Sequence, residues 1–368
     1  ARKLLPDAAR RRLATLQGGP FAPHDDLGPV PRADPPFAKA APPPAAGHRL
    51  IVACMKNEGP YLLEWLAHHR TVGFDRFLIY TNDCDDGTDA MLDRLQALGL
   101  VEHRDNSGWT GASPQQHALD SALHEPVVQQ ADWIAHIDVD EFVNVHCGDG
   151  TLDALFAAIP DATHVALPWR LFGNAGIAGI EDRPVTEQFT RAAPRWCPKP
   201  HTVWGIKTLG RNIGAYGKLS CHRPNRPTAD ALDRVRWVNG SGADVTATLG
   251  RRGWRATRST VGYDLVQLNH YALRSLDAFL VKRARGRALH VDRQIGLNYW
   301  LRMDWSDHED RSILRGRHRL RAELDRLKAD PTLADLHARA FARHRQKAAA
   351  LRVDPALAAL RDDAARLR

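Results

Sequence analysis

An α/β fold, with a mixed and mostly parallel sheet flanked by helices, is predicted by three observations. From Arg49 onward, short apolar runs alternate with segments whose apolar residues recur at helical spacing. The runs are continuous rather than alternating, as in strands covered on both faces. The polar clusters fall where those runs end, the edge at which such sheets bind ligands.

Taken in order, Leu50-Ile51-Val52-Ala53-Cys54 is a buried-type strand, and Tyr61 to Val72 has helical spacing. Arg76 to Tyr80 is the next strand, and Thr88 to Leu98 the next helix, with Asp86-Gly87-Thr88 suited to its initiation. A short strand at Leu100–His103 and a helix across Pro114–His124 lead to a fourth strand, Ile134–Ile137. Residues 160–270 are less regular, with Trp, Gly and Pro among short strands, of which Asp264–Leu268 is one. From 275 the chain reads as helical. Leu324, Leu327, Leu333, Leu336, Phe341, Leu351, Leu357 and Leu360 form apolar stripes broken at Pro331 and Pro355.

The division expected from this pattern is an arm over 1–47, a central domain over 48–290 and a basic helical extension over 291–368. The arm opens with a basic helical candidate, Lys3 to Leu16, and becomes Pro/Ala-rich through Pro42-Pro43-Pro44.

Composition is that of a globular protein, with 43% hydrophobic and 26% charged residues in 368, which excludes global disorder. Five scattered cysteines with no CxxC pair argue against a disulfide framework or a zinc knuckle, and for a reducing cytoplasm. No run approaches the length of a membrane span, and no leader pattern is visible. The net charge of +8 arises from Arg311 onward, where 15 Lys and Arg face 7 Asp and Glu. A basic tail on a neutral body suits peripheral docking at the anionic inner face of a membrane. No nucleic-acid signature accompanies it, and no nucleic-acid partner is expected.

The chemistry centres on Ile137-Asp138-Val139-Asp140-Glu141-Phe142, where a buried strand runs into three carboxylates. Placing them there is costly unless something positive occupies the site. A divalent cation, Mn²⁺ or Mg²⁺, suits these oxygen ligands and shares them with substrate phosphates. The plain structural alternative is that Asp138 caps a turn, Asp140 solvates it and Glu141 pairs with an Arg.

Asn57-Glu58 after the first strand, Asp86-Gly87-Thr88 after the second and Asp138-Val139-Asp140-Glu141-Phe142 after the fourth resemble the family 2-like nucleotide-sugar glycosyltransferases of GT-A fold. Cys221-His222-Arg223-Pro224, Leu268-Asn269-His270-Tyr271 and Lys282-Arg283-Ala284-Arg285-Gly286 resemble, within them, the branch related to glycosyltransferase family 92, formerly domain of unknown function 23. The resemblance runs from about Arg49 to Arg287. It departs at Gly217, displaced from before the first His, and at Arg274, where Lys is common.

The resemblance implies residues 48–150 as a nucleotide-binding half and 151–290 as an acceptor-side half. It implies Asp138 and Asp140 as metal ligands, with His270 as the third and His222 as the alternative. Lys56, Asn57, Glu58, Asp83, Asp86, Gln115, Gln116 and Asp138 would bind the donor, and Lys282 and Arg285 would clamp the departing diphosphate. Lys282 and Arg285 stand at i, i+3 of one helix and share a face. The base that deprotonates the acceptor is expected in the middle region, at Glu187, with Glu181 and Asp182 beside it. Trp169, Trp196 and Trp204 are candidate sugar-stacking surfaces, or core.

The function expected is a metal-dependent, inverting glycosyltransferase. It would move a sugar from a uridine diphosphate sugar to a glycan or lipid-linked saccharide, in bacterial polysaccharide biosynthesis. The alternatives are a nucleotidyltransferase or phosphatase using the same carboxylates, or a non-catalytic sugar- or polyanion-binding protein.

Overall fold

The computed structural model describes residues 47–111, 113–195, 204–286 and 295–366. The candidate helix Lys3–Leu16, Trp196, Cys197 and Arg287 lie outside the described residues. Its first half runs β1 (Arg49–Met55), α1 (Gly59–Val72), β2 (Arg76–Thr81), α2 (Thr88–Ala97), β3 (Glu102–Asp105), α3 (Pro114–Ala122) and β4 (Trp133–His136). Then come β5 (Glu141–Val145), α4 (Leu152–Ala158), β6 (His164–Leu171), β7 (Ile206–Arg211), β8 (Trp237–Val238) and β9 (Val266–His270). The chain closes with α5 (Leu276–Arg285), α6 (Leu297–Met303), α7 (Arg317–Lys328), α8 (Pro331–Arg352) and α9 (Ala358–Arg366).

Among the described residues, nine strands form the main sheet in the order β3-β2-β1-β4-β7-β6-β9-β5, with β8 beside β6. Neighbours β1–β2, β2–β3, β1–β4, β6–β8 and β6–β9 are parallel; β7 runs antiparallel to β4 and β6, and β5 antiparallel to β9. The mixed, mostly parallel sheet with flanking helices and a helical C-terminal region is therefore present.

Strand β1 shows why its sequence is continuously apolar. Ile51, Ala53 and Met55 enter the larger core with Leu62 and Leu66 of α1, whereas Leu50 and Val52 enter a second core with Ala118 and Leu119 of α3. Each fully buried aliphatic side chain favours folding by about 1.5–3 kcal/mol, so both faces hold the strand. Helix α1 begins with Pro60 in its first turn and ends at Gly73, whose φ of 117° lets its N–H reach the carbonyls of His69 and Arg70.

Two arrangements position the site. After β4 the chain turns through Ile137–Asp140 and returns as β5, with the Glu141 N–H donating to the Asp138 carbonyl at 3.0 Å. Trp65 of α1 clamps this turn by donating its indole N–H to the carbonyls of Asp138 and Glu141, both at 3.1 Å. The β5–β9 ladder then sets His270 opposite Glu141, and β6 sets Leu171 opposite His270. The strand delivering His270 is thus Val266–His270, two residues later than the sequence pattern suggested.

The C-terminal helices cover α1, α2 and α5. Asp330 caps α8 by accepting from the Leu333 N–H at 3.0 Å, with Pro331 at the first position, so Pro331 starts a helix as it ends the stripe before it. Ala340 of α8 sits against Gly59: a Cβ there would come within 2.7 Å of the Ala340 methyl.

Candidate active site

The carboxyl ends of β1, β4 and β9 surround a cavity of about 220 Å³. Its walls carry Lys56, Glu58, Gln115, Asp138, Asp140, His222, His270, Lys282 and Arg285, so most of the side chains singled out in the sequence converge. Trp169, Cys54, Cys221, Tyr299 and Met303 complete much of the lining.

The charges in this cleft pair closely. Lys207, the second residue of β7 and fully buried, lies 3.1 Å from Asp138 and 3.2 Å from Glu141. Glu141 also accepts from the Trp169 indole at 2.6 Å and from the Asp138 N–H at 2.7 Å. Glu141 is therefore a buried counter-charge beneath the cavity. Lys207 was not among the residues singled out in the sequence; the signal was a lone Lys between Ile206 and Thr208-Leu209. Burial would lower the Lys207 ammonium, but Asp138 and Glu141 outweigh it and hold it above the ordinary lysine range.

Asp138 is about one-third exposed and accepts from Gln115 at 3.0 Å as well as from Lys207. Asp140 is nearly buried. Lys282 donates to its Oδ2 at 2.6 Å, and His270 Nε2 stands 3.6 Å from its Oδ1. Burial pushes Asp140 up, yet Lys282, His270 and Arg274 outweigh it and keep the carboxyl well below its usual range. Lys282 also donates to the Ala272 carbonyl at 2.8 Å and the Tyr299 hydroxyl at 3.2 Å, which uses all three ammonium protons. Glu58 pairs with Arg274 at 3.0 Å and with Arg285. Arg274 lies with its guanidinium 3.5 Å over the Tyr61 ring.

His222 reaches the cavity from the segment after β7. Its Nδ1 stands 2.9 Å from the Ile206 carbonyl, which can only accept, so the proton sits on Nδ1 and Nε2 keeps its lone pair. Burial and then Lys207 hold this imidazole below its ordinary value. Trp169 lies against both His270 and His222, at 4.6 and 5.4 Å between ring centres, on the cavity wall. Trp204 is a core residue.

Several predicted residues lie elsewhere. Asp86 is buried, accepting from the Gly59 N–H at 3.0 Å, from Thr88 and from His344 of α8 at 2.8 Å. Its carboxylate ties α1 and α2 to the extension, and it does not line the cavity. Asp83 is exposed and pairs with Lys56 at 3.2 Å. Asn57, at φ 53°, accepts from the Asp85 N–H, and Gln116 donates to Asp120 and the Leu219 carbonyl.

The side chains expected to supply the base also lie away from the cavity. Glu187 is held by Arg321 through two hydrogen bonds of 2.7 and 2.5 Å, and Asp182 by Lys328 and His337. Glu181 is exposed. None of the three lines the cavity; the loop that carries them is spent on holding the C-terminal helices.

Residues 49–202 match the family model described as glycosyltransferase family 92. A glycosyltransferase family 92 protein of Ricinus communis is 27% identical over 147 residues, which is 39% of this chain and 26% of the relative. One from Oryza sativa subsp. japonica is 26% identical over 146 residues, 39% of this chain and 24% of that protein. The match thus spans about a quarter of these plant relatives' length.

Among solved structures, S. aureus TarS 1-349 aligns with a TM-score of 0.30 at 13% identity, over 87% of this chain and 88% of that one. Glucosyl-3-phosphoglycerate synthase from Mycobacterium tuberculosis, in complex with Mn²⁺, UDP-glucose and phosphoglyceric acid, aligns at 0.29 with 14% identity, covering 57% and 73%. Likeness at these scores says nothing about what this chain binds. The family match covers β1 through β6, and with them the carboxylate turn: over residues 49–202 this chain is similar to glycosyltransferase family 92.

Proposed function

We propose that the chain is a metal-dependent, inverting glycosyltransferase that moves a sugar from a uridine diphosphate sugar to a saccharide or glycolipid acceptor. One observation carries this: within a family 92-related fold, Asp138 and Asp140 share a cavity wall with Lys282 and Arg285. Acidic groups that can hold a cation thus stand beside basic groups that can hold phosphate.

The donor set fits Mn²⁺ or Mg²⁺. Among the described residues no three His, Cys, Asp or Glu side chains are gathered as a complete metal site. Asp140 Oδ1 and His270 Nε2, however, are too far apart at 3.6 Å for a good hydrogen bond, and face one space. His270 Nδ1 is buried without a partner, so its ring is not yet fully satisfied. Such cations are commonly bound by one or two carboxylates together with substrate phosphates. Asp140 and His270 would hold the ion, with Asp138 beside them, and the ion would supply positive charge to the diphosphate as the sugar departs.

The chain's own groups would do the rest. Lys282 and Arg285 take phosphate oxygens, and Lys56, Glu58 and Gln115 contact the nucleoside. His222, with its Nε2 lone pair available, takes the place first expected for Glu187 and accepts the proton of the attacking hydroxyl. The exposed Arg317 and Arg343 of the extension support docking at an anionic surface.

The test is a screen of nucleotide sugars for turnover with Mn²⁺, repeated on Asp140→Ala. Release of the nucleoside diphosphate by the wild type and its loss in the variant support the proposal. Turnover unchanged in the variant would remove the metal role, and released pyrophosphate would favour a nucleotidyltransferase.

A further inference from the structure

The carboxylates of the cleft already have cations. Glu58, Asp138, Asp140 and Glu141 meet Lys207, Arg274, Lys282 and Arg285, so the cluster is neutral without any added ion. These four cations differ in what could release them. Lys207 is fully buried between two carboxylates, and Arg274 is stacked on the Tyr61 ring. Lys282 borders the open cavity, with its side chain 17% exposed, on the helix end that also carries Arg285.

We propose that Lys282 is an exchangeable counter-ion of Asp140, which closes that carboxylate to a lone divalent cation and leaves it only when a nucleoside diphosphate offers phosphate oxygens to the ammonium. Metal and donor then bind as a pair. This rests on the donor and metal assignment above and adds the rule by which the two enter.

The charge balance gives the reason. A divalent ion entering alone at Asp140 Oδ1 meets the ammonium held 2.6 Å from Oδ2 of the same carboxylate, which repels it and has no other anion to turn to. A diphosphate entering alone meets a cleft with no spare positive charge apart from Lys56, which faces Asp83. When both enter, the ion takes Asp140, the ammonium takes phosphate, and every charge stays compensated. The incomplete protein ligand set agrees, since phosphate oxygens are needed to finish the metal's shell.

Calorimetric titration of Mn²⁺ tests this, with and without saturating UDP, on the wild type, Lys282→Met and Lys282→Arg. The wild type should bind Mn²⁺ at least about tenfold more tightly with UDP present. Lys282→Met, which removes the competing charge, should bind Mn²⁺ alone about tenfold more tightly than the wild type and show a weaker gain from UDP. A merely structural role would instead weaken Mn²⁺ binding in that variant. Lys282→Arg keeps the charge and should retain the wild-type pattern.

Wild-type affinity for Mn²⁺ that is equal with and without UDP would overturn the proposal even if Lys282→Met does not fold. So would a folded Lys282→Met that binds Mn²⁺ no better than the wild type. No Mn²⁺ binding by any of these proteins even with UDP would instead sink the metal assignment itself, and this inference with it.

Discussion

The cleft at the strand ends and the seam under the C-terminal helices use the same chemistry for different ends. In the cleft, Asp140 is held by Lys282 and Glu58 by Arg285 on the wall of an open cavity. In the seam, Asp86 is held by His344, Asp277 by Arg352 and Glu187 by Arg321, each joining two packed elements. A carboxylate whose partner borders a cavity can trade that partner for a ligand. One whose partner belongs to a packed helix is committed to the fold. Acidity alone does not tell the two apart; what lies on the far side of the pair does.

The largest effect that would sharpen this contrast belongs to Lys207, which sits in the cleft but is committed like a seam residue. Lys207→Met leaves Asp138 and Glu141 facing each other without a cation, and should cost about 3–5 kcal/mol of stability. Urea denaturation measures it, and a loss under 1 kcal/mol would mean the pair is not held as described.

Next comes Asp140→Asn, which keeps the side chain's shape. It should lower sugar-donor turnover about a hundredfold, about 2.7 kcal/mol, while thermal unfolding still reports a folded protein.

Asp86 breaks the comparison from the other side. Its carboxyl is held at about 2, because His344 and Thr88 outweigh the upward push of burial. A lowered carboxyl stabilises the fold above its unfolded value near 3.8, and this contribution disappears as pH falls from there through about 2. The shift corresponds to about 2 kcal/mol. Stability curves of wild type and Asp86→Asn should therefore converge across that window on acidification. Parallel curves would show that the pair contributes nothing.

The smallest effect is expected at Glu187. Its partner Arg321 is mostly exposed, so Glu187→Gln should change stability by under about 1 kcal/mol. Turnover should stay within about twofold, because the side chain does not line the cavity. A hundredfold loss of turnover would restore Glu187 as the base and show that the extension moves away during the reaction.

What the sequence made legible follows the range of the interactions involved. The first four strands and the carboxylate turn depend on local patterning, and they stand within a few residues of their expected places. Lys282 and Arg285 were found because Lys282-Arg283-Ala284-Arg285-Gly286 resembles a family motif, and helical spacing then puts the two on one face. Lys207 escaped because its role exists only once β7 is inserted between β4 and β6, a pairing across some seventy residues of chain. The partners of Asp86, Asp182 and Glu187 were not legible because the helices that neutralise them lie over a hundred residues downstream. Tyr299 and Met303, expected to belong to the extension, reach the cavity wall by the same kind of distant contact.

The central claim is that this cleft holds a sugar donor's diphosphate between a cation on Asp140 and the basic end of α5. A crystal grown with UDP and Mn²⁺, measured at the manganese absorption edge, tests it most directly. The account predicts an anomalous peak beside Asp140 and His270, with the diphosphate between it and a Lys282 turned away from the carboxylate. Nucleotide bound in the cleft with Lys282 still on Asp140, and no peak there, would contradict it.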